Sequence, residues 1–127
     1  MKQIKNGADV LNVVNDKDGT PTYTQDFAKT VMEVIQTPYT GLYNLVCDGA
    51  TSRAEVLREL LFLVGKEESI KVEEVTSSFF KKEYFAARPA SENLVNKKLI
   101  LRNMNKMRPW KVALKEYLEE YYKGYLD

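Results

Sequence analysis

The sequence contains no histidine and only one cysteine, Cys47. Without histidine, the chain has no imidazole for acid–base catalysis and lacks a residue that most zinc sites use. One cysteine cannot form a disulfide within the chain, and chains without disulfides are typical of the reducing cytosol. We therefore expect a cytoplasmic protein with no metal site of its own.

Net charge is small and long apolar runs are missing. Lys and Arg number 19 against 18 Asp and Glu, which gives a formal net charge of +1, so nothing in the charge balance indicates nucleic acid or an anionic membrane as a partner. No apolar run approaches the ~20 residues of a transmembrane helix. Residues 1–12 also lack the apolar stretch of a signal peptide. We expect no nucleic acid and no membrane among the partners.

Glycine is sparse, and its spacing excludes one common kind of site. A dinucleotide-binding fold has a Gly-rich turn between its first strand and the helix that meets the pyrophosphate. None of the six glycines here makes that spacing. We therefore expect the chain to lack a Rossmann core and to bind no dinucleotide cofactor by itself.

The residues that are present predict one α/β domain over residues 1–127. Hydrophobic residues make up 44% of the sequence, enough for a modest core. A capping box of Ser52 with Glu55 marks the start of one helix. The fold class that we expect is a partial domain of about four helices with two or three short strands. Apolar spacing predicts strands at residues 10–15, 41–47 and about 70–75, and helices at about 24–36, 52–64, 94–105 (broken) and 109–125.

A polar connection over residues 15–29 joins the first strand to the first helix. Asp18-Gly19 is a typical turn dipeptide, and Pro21 keeps the preceding residue extended. Thr22 or Thr24 could cap the helix, with Asp26 adding negative charge at its positive end. Two interpretations stay open. The stretch is either an ordinary strand-to-helix connection or a set of polar side chains that face a ligand held by another part of a larger protein.

Five short motifs occur in order along the chain. They are Asp16-x-x-Gly19-x-Pro21-Thr22 with Asp26-Phe27-Ala28, Gly41-Leu42-Tyr43-Asn44, Gly49-Ala50-Thr51-Ser52, Ala87-Arg88-Pro89 and Trp110-Lys111-x-Ala113-Leu114. In this order they resemble the carboxy-terminal half of dTDP-4-dehydrorhamnose reductases, which are extended short-chain dehydrogenases/reductases. Two positions depart from the family pattern: Lys17 stands where Gln is usual, and Glu92 where Ser is usual.

The resemblance implies that the chain is the substrate-binding portion of such an enzyme. The full-length parent would pass hydride from NADPH to carbon 4 of a dTDP-4-keto-6-deoxy sugar and give dTDP-L-rhamnose, and some family members bind magnesium. The family's catalytic Tyr-x-x-x-Lys does not occur in this chain, since Tyr84 precedes Arg88 by four residues and Tyr121 precedes Tyr125. We therefore assign no catalytic residue here and expect the pair to lie in a missing amino-terminal Rossmann half.

The resemblance places the dTDP-sugar site at Thr20, Pro21, Thr22, Arg88 and Pro89. Arg88 is the strongest candidate, because a guanidinium binds phosphate oxygens in pairs. The alternative is an Arg that is buried or that braces its loop through carbonyls or an acidic partner. The aromatic residues of the same loop could shield a base or sugar; they are Phe79, Phe80, Tyr84 and Phe85.

Other clusters have simpler explanations. The carboxylate pairs Glu67-Glu68, Glu73-Glu74 and Glu119-Glu120 are typical of solvated surface. The tyrosines near the carboxy terminus have helical spacing, which favours packing over base stacking. A basic cluster fits either a surface helix or contact with a diphosphate or polyanion; its members are Lys97, Lys98, Arg102, Lys106 and Arg108.

A rival function comes from another class. Relatives of these reductases serve as regulatory subunits, so the same fold could be a non-catalytic regulatory or protein-interaction module. An upstream reading frame that encodes a Gly-rich turn and Tyr-x-x-x-Lys would favour the reductase. In either case we expect an exposed apolar patch or a homo-oligomer that covers it.

Overall fold

The protein was analysed as a computed structural model, which describes residues 1–80, 86 and 88–126. The described residues form five α-helices, four strands and one 3₁₀ turn. This confirms the prediction of a partial α/β domain. Two of the helices are little more than one turn long, and two of the strands have two residues each. The elements are α1 (Lys2–Lys5), β1 (Val10–Val14), β2 (Asp18–Gly19), α2 (Thr24–Ile35), β3 (Thr51–Ser52), α3 (Arg53–Leu63), β4 (Lys71–Val75), the 3₁₀ turn (Ser77–Phe80), α4 (Lys97–Leu101) and α5 (Trp110–Tyr121).

The two longer strands, β1 and β4, pair in parallel, with Leu11 opposite Val72 and Val14 opposite Val75. Both strands lie within or next to the predicted ranges. Helix α3 crosses between them and packs its Leu61 against Leu11 and Ile70 in a first apolar core. Parallel strands need a crossover connection of this kind, which is usually helical.

A second core lies on the other side of α3. Tyr23, Cys47, Met107, Trp110 and Ala113 are buried together, and Val56 of α3 packs against them. Helix α3 therefore contributes apolar side chains to both cores. The core joins the residue before α2 to α5, so the end of the polar connection is packed against the last helix.

The capping box of α3 forms as predicted. The Ser52 hydroxyl accepts a hydrogen bond from the Glu55 N–H at 3.2 Å, and the Glu55 carboxylate accepts one from the Ser52 N–H at 3.0 Å. The helix ends at Leu63, and Gly65 follows with φ +63°. A positive φ is easily adopted by glycine, which agrees with the predicted stop at that residue.

The predicted strand over residues 41–47 does not form. The N–H of Val46 donates to the Asn96 side-chain oxygen at 3.0 Å, and the Asn96 side-chain amide donates to the Val46 carbonyl at 2.7 Å. Asp48 then pairs with Pro109 in a single bridge. A strand needs a neighbouring strand for its backbone groups, and in the described part of the chain this segment instead meets a side chain.

Predictions at the helix ends and at the first turn also need correction. Tyr23 occupies the N-cap position of α2 without a side-chain hydrogen bond, so neither Thr22 nor Thr24 caps the helix. Asp18-Gly19 is not a turn but strand β2, because its backbone is hydrogen-bonded on both sides. Pro109 is the N-cap of α5 and not its first helical residue.

Two further helices are shorter than predicted. Only Lys97–Leu101 of the broken helix at 94–105 is helical, and α5 ends at Tyr121. In α5, Trp110, Ala113 and Leu118 are buried, whereas Tyr117 and Tyr121 are exposed, so only part of the predicted apolar stripe faces the core.

Candidate functional site

The candidate site lies at the carboxyl ends of β1 and β4. Because the two strands are parallel, the loops that follow them leave the sheet at the same edge. Residues 15–23 follow β1 there, and residues 76–92 follow β4. Loops at the carboxyl ends of parallel strands are the usual place for ligands in α/β folds. The motifs that were predicted to bind substrate lie in these two loops.

Asp16 joins the two loops directly. Its carboxylate accepts hydrogen bonds from the backbone N–H and the hydroxyl of Ser77, each at 2.9 Å. Desolvation of the carboxylate opposes ionisation, but the two hydrogen bonds from Ser77 outweigh it and lower the pKa of Asp16 below its usual value. At neutral pH the Asp16 carboxylate is therefore ionised and accepts both hydrogen bonds from Ser77, a contact that we call the tether. Nothing in the sequence marked Ser77 as its partner.

Asp18 is the point at which a third segment joins. Its N–H donates to the Ala90 carbonyl and its carbonyl accepts from the Glu92 N–H, both at 2.9 Å. Strand β2 also pairs antiparallel with β3, with Asp18 opposite Ser52. The turn before α3 and the loop of Arg88 are thus hydrogen-bonded to the same two-residue strand.

The predicted residues at 20–22 surround this junction. The Thr20 hydroxyl donates to the Gly49 carbonyl at 3.0 Å, which ties the connection to the turn before α3. Pro21 and Thr22 are exposed to solvent. Of the three, Thr20 therefore has a structural contact, while Pro21 and Thr22 present free surface.

Arg88 is exposed, so the interpretation of a buried structural Arg is wrong. Its side chain is 68% exposed and lies 3.7 Å from the Glu92 carboxylate. The Lys17 ammonium donates to the Arg88 carbonyl at 2.8 Å. Both departures from the family pattern, Lys17 and Glu92, thus contact Arg88, one through its backbone and the other through its side chain.

Pro89 is also exposed, and part of the surrounding loop is not described. Phe79 and Phe80 lie edge to face, with ring centroids 5.0 Å apart. Tyr84, Phe85 and Ala87 lie outside the described residues. The link between the segments at 20–22 and 88–89 runs through Lys17 and Asp18.

An ion-pair network that the sequence did not reveal anchors α2 below the site. Asp26, only 4% exposed, accepts two hydrogen bonds from the Arg108 guanidinium, at 2.8 and 2.9 Å. Arg108 also bonds to Glu116 of α5, and the hydrogen bonds from Glu116 and Asp26 raise the pKa of Arg108. Asp26 and Arg108 are far apart in sequence, so no local pattern pairs them.

Tyr23 and Cys47 form further contacts around the start of α2. The Tyr23 hydroxyl donates to Glu120 at 2.9 Å, and burial together with that bond raises the pKa of Tyr23. The Cys47 sulfur accepts from the Tyr23 N–H at 3.4 Å, and burial raises the pKa of the Cys47 thiol. A buried thiol of raised pKa is a packing group and a poor nucleophile.

The described residues do not fit a dinucleotide or a magnesium ion. Helix α3 follows a glycine turn, but Ser52 and Glu55 already bond to its free end, so a pyrophosphate would compete with a carboxylate there. The described residues contain no group of three His, Cys, Asp or Glu side chains that could hold a metal. We therefore assign neither site to this chain.

The fold and its loops define the class of protein as a partial α/β unit. A family model identifies the family. The model described as "RmlD substrate binding domain" matches residues 1–123. The chain belongs to this family.

Individual proteins are also similar to this chain in sequence and structure. A spore coat polysaccharide biosynthesis protein, SpsK of Bacillus subtilis, is 32% identical over 110 residues, which is 87% of this chain and 37% of that protein. A dTDP-4-dehydrorhamnose reductase structure from Clostridium acetobutylicum has a TM-score of 0.84 and 34% identity, over 93% of this chain and 41% of that one.

A second reductase structure, from Yersinia enterocolitica, has a TM-score of 0.81 and 26% identity, over 93% of this chain and 40% of that one. A third structure, of the reductase from Bacillus anthracis in complex with NADP, has a TM-score of 0.81 and 23% identity, over 94% of this chain and 41% of that one. This likeness shows the shared fold. The chain therefore spans about two fifths of the length of these relatives. No helix in the described part of the chain is long and apolar enough to cross a membrane.

Proposed function

We propose that this chain forms the nucleotide-sugar-binding part of a dTDP-4-dehydrorhamnose reductase. In the full-length parent, NADPH would reduce dTDP-4-dehydro-L-rhamnose to dTDP-L-rhamnose. The cofactor, the catalytic Tyr and Lys, and any magnesium ion would be held by the amino-terminal Rossmann half. The observation that supports the proposal is the junction at β2, which joins the loops of Thr20 and Arg88 at the carboxyl ends of parallel strands.

Within this site, Thr20, Pro21, Thr22, Arg88 and Pro89 would face the dTDP-sugar. The exposed guanidinium of Arg88 would contact a diphosphate oxygen, for which a planar fork of donors is well suited. Lys17 would hold the backbone of that loop, since its ammonium already bonds to the Arg88 carbonyl. The roles of this chain are therefore binding and orientation of the substrate.

The test is Arg88→Ala in the full-length parent. Binding of the dTDP-sugar should weaken by about 1.5–3 kcal/mol, the value for a hydrogen bond to a charged group, with an unchanged melting temperature. Lys115→Ala is a matched control, because Lys115 is exposed and lies near a carboxylate four residues on, Glu119. Normal substrate affinity together with a lower melting temperature would show that Arg88 only braces its loop.

A second candidate is a non-catalytic regulatory or interaction module of the same fold. It is favoured by one observation, that the chain contains neither a Gly-rich turn nor Tyr-x-x-x-Lys. The DNA upstream of Met1 separates the two candidates. A continuous reading frame with both motifs supports the reductase, and an independent start site without them supports the module.

A further inference from the structure

Two cations, Lys98 within α4 and Arg102 at its C-cap, lie against tyrosine rings in a group of side chains that we call the tyrosine–cation cluster. It consists of Tyr39, Tyr43, Lys98 and Arg102. The Arg102 guanidinium carbon lies 4.2 Å from the centroid of the Tyr39 ring and 5.4 Å from that of Tyr43. Arg102 also donates a hydrogen bond to the Tyr43 hydroxyl. The Lys98 ammonium lies 5.4 Å from the centroid of the Tyr43 ring.

The backbone around the cluster is fixed from both sides. Leu99, between the two cations, is fully buried. Helix α4 ends in a Schellman motif, in which the Met104 N–H bonds to the Leu99 carbonyl and Asn103 takes φ +55°. The Asn44 side chain donates to the Val95 carbonyl at 3.1 Å. Segment 43–46 therefore holds Tyr43 beside α4.

Among the described residues, no carboxylate forms an ion pair with the cations of this cluster. Arg108, from the same basic run of sequence, is neutralised by Asp26 and Glu116. Within the described part of the chain, no carboxylate oxygen lies within 4.0 Å of Lys98 or Arg102. These two residues are one helical turn apart, and like charges at that spacing repel each other. An anion between them would remove that repulsion.

Gly41 lies next to the ammonium. It has φ +112°, which favours glycine, and a Cβ added there would lie 3.0 Å from the Lys98 nitrogen. The glycine backbone therefore approaches the charged group closely. The cluster combines two cations that have no ion-pair partner among the described residues, an adjacent glycine and tyrosine rings that lie against the cations.

We propose that the tyrosine–cation cluster binds a diphosphate-sized anion. Lys98 would act as a point charge, and the guanidinium nitrogens of Arg102 that do not bond to Tyr43 would donate to phosphate oxygens. The two charges, one turn apart on the helix, suit two linked phosphate groups better than one. The cluster shares no residue with the site at β2, so this inference does not depend on the proposed function.

Isothermal titration of the chain with inorganic pyrophosphate tests the proposal, with chloride at matched ionic strength in the reference buffer. Lys98→Gln and Arg102→Gln should each weaken pyrophosphate binding about tenfold, the effect of losing a charged hydrogen bond. Lys97→Gln is the matched control, since Lys97 is exposed on the same helix and outside the cluster. It should bind as the unchanged chain does. Orthophosphate should bind about tenfold more weakly than pyrophosphate.

Two results would overturn the proposal. One is the absence of binding heat with pyrophosphate at millimolar concentration. The other is a loss in Lys97→Gln as large as in Lys98→Gln, which would show a diffuse response to net charge. Circular dichroism melting checks each variant; if Arg102→Gln is unfolded, the comparison of Lys98→Gln with Lys97→Gln decides the question, because both side chains are exposed.

Discussion

At the scale of single residues, Asp16 is the clearest link between the two loops of the candidate site. Its pKa is lowered by the hydrogen bonds from Ser77, so the tether contributes stability above the pKa of the unfolded carboxyl, near 3.8. That contribution is lost as the pH falls through the lower folded pKa. The stability of the loop at acid pH should therefore depend on the ionisation of Asp16.

We predict that Asp16→Asn loosens the loop after β4 at neutral pH. An amide accepts hydrogen bonds less strongly than a carboxylate, so hydrogen exchange of the Ser77 amide should become at least about fivefold faster. Exchange of the Leu61 amide in α3 serves as the internal control and should not change. Equal protection of Ser77 in both proteins would show that the tether does not hold the loop.

Glu92 and Lys17 act on Arg88 in opposite ways. Lys17 holds the backbone of the loop, whereas Glu92 competes for the guanidinium. Exposed pairs of this kind are worth about 0.2–1 kcal/mol. Any effect of Glu92 on ligand binding should stay within that range.

On the proposed function, Glu92→Ser in the full-length parent should tighten dTDP-sugar binding by up to about fivefold, which corresponds to that free energy. The substitution restores the residue usual in the family. Glu119→Ser, at an exposed pair on α5, is the control and should leave affinity unchanged. Weaker binding by Glu92→Ser would mean that the carboxylate itself contacts the ligand.

At the scale of elements, α2 is held to α5 by the network of Asp26, Arg108 and Glu116. Helix α2 begins directly after the connection that carries Thr20 to Thr22. Its anchoring therefore decides where those residues lie relative to the Arg88 loop.

We predict that Asp26→Ala lowers the free energy of unfolding by about 3 kcal/mol. This is the low end of the range for removing one partner of a buried pair, because Arg108 is about one third exposed and keeps Glu116. Chemical denaturation measures the change, and the exposed Asp9→Ala is the control. In a double-mutant cycle with Arg108→Met, a coupling energy near zero would contradict a cooperative network.

Local sequence signals predicted the elements whose causes are local. The capping box of Ser52 and Glu55 and the stop near Gly65 formed as expected, since both depend on residues within a few positions. The strand predicted at 41–47 failed because pairing depends on a distant neighbour. Asn96 instead bonds to Val46. The pairs of Asp26 with Arg108 and of Asp16 with Ser77 form across the folded chain, so only the structure reveals them.

For the candidate site, the order of the motifs predicted which segments form it but not how the segments are hydrogen-bonded to each other. The sequence indicated the loops of Thr20 and Arg88 through a family resemblance. It did not indicate that β2 joins them, because Asp18-Gly19 is typical of a turn and its strand character comes from partners on both sides. Exposure of Arg88 likewise depends on the path of the loop.

At the scale of the whole molecule, the chain corresponds to about two fifths of its relatives. We predict that the purified chain neither reduces dTDP-4-keto sugars nor binds NADPH tightly, because it has no Gly-rich turn and no Tyr-x-x-x-Lys. NADPH fluorescence titration and an absorbance assay measure both, with a full-length reductase as the positive control. Turnover above background would contradict the prediction.

The last prediction concerns apolar surface on segment 41–47 and the residues beside it. Leu42 is 81% exposed, Val95 66% and Leu101 73%, and hydrogen bonds from the side-chain amides of Asn44 and Asn96 bring the two segments together. The backbone at 42–45 also lies outside any strand of the described chain. Exposed apolar side chains beside unpaired backbone favour association.

We therefore predict that the isolated chain binds a hydrophobic dye or self-associates at high concentration, and that Leu42→Ser with Leu101→Gln reduces both without lowering the melting temperature. The control is Phe62→Gln, which removes an apolar side chain of α3 that is 64% exposed. Light scattering and dye fluorescence should respond to the first pair of substitutions much more than to the control. A monomer without dye binding at high concentration would show that this surface needs no partner, and an equal response to Phe62→Gln would place the association elsewhere.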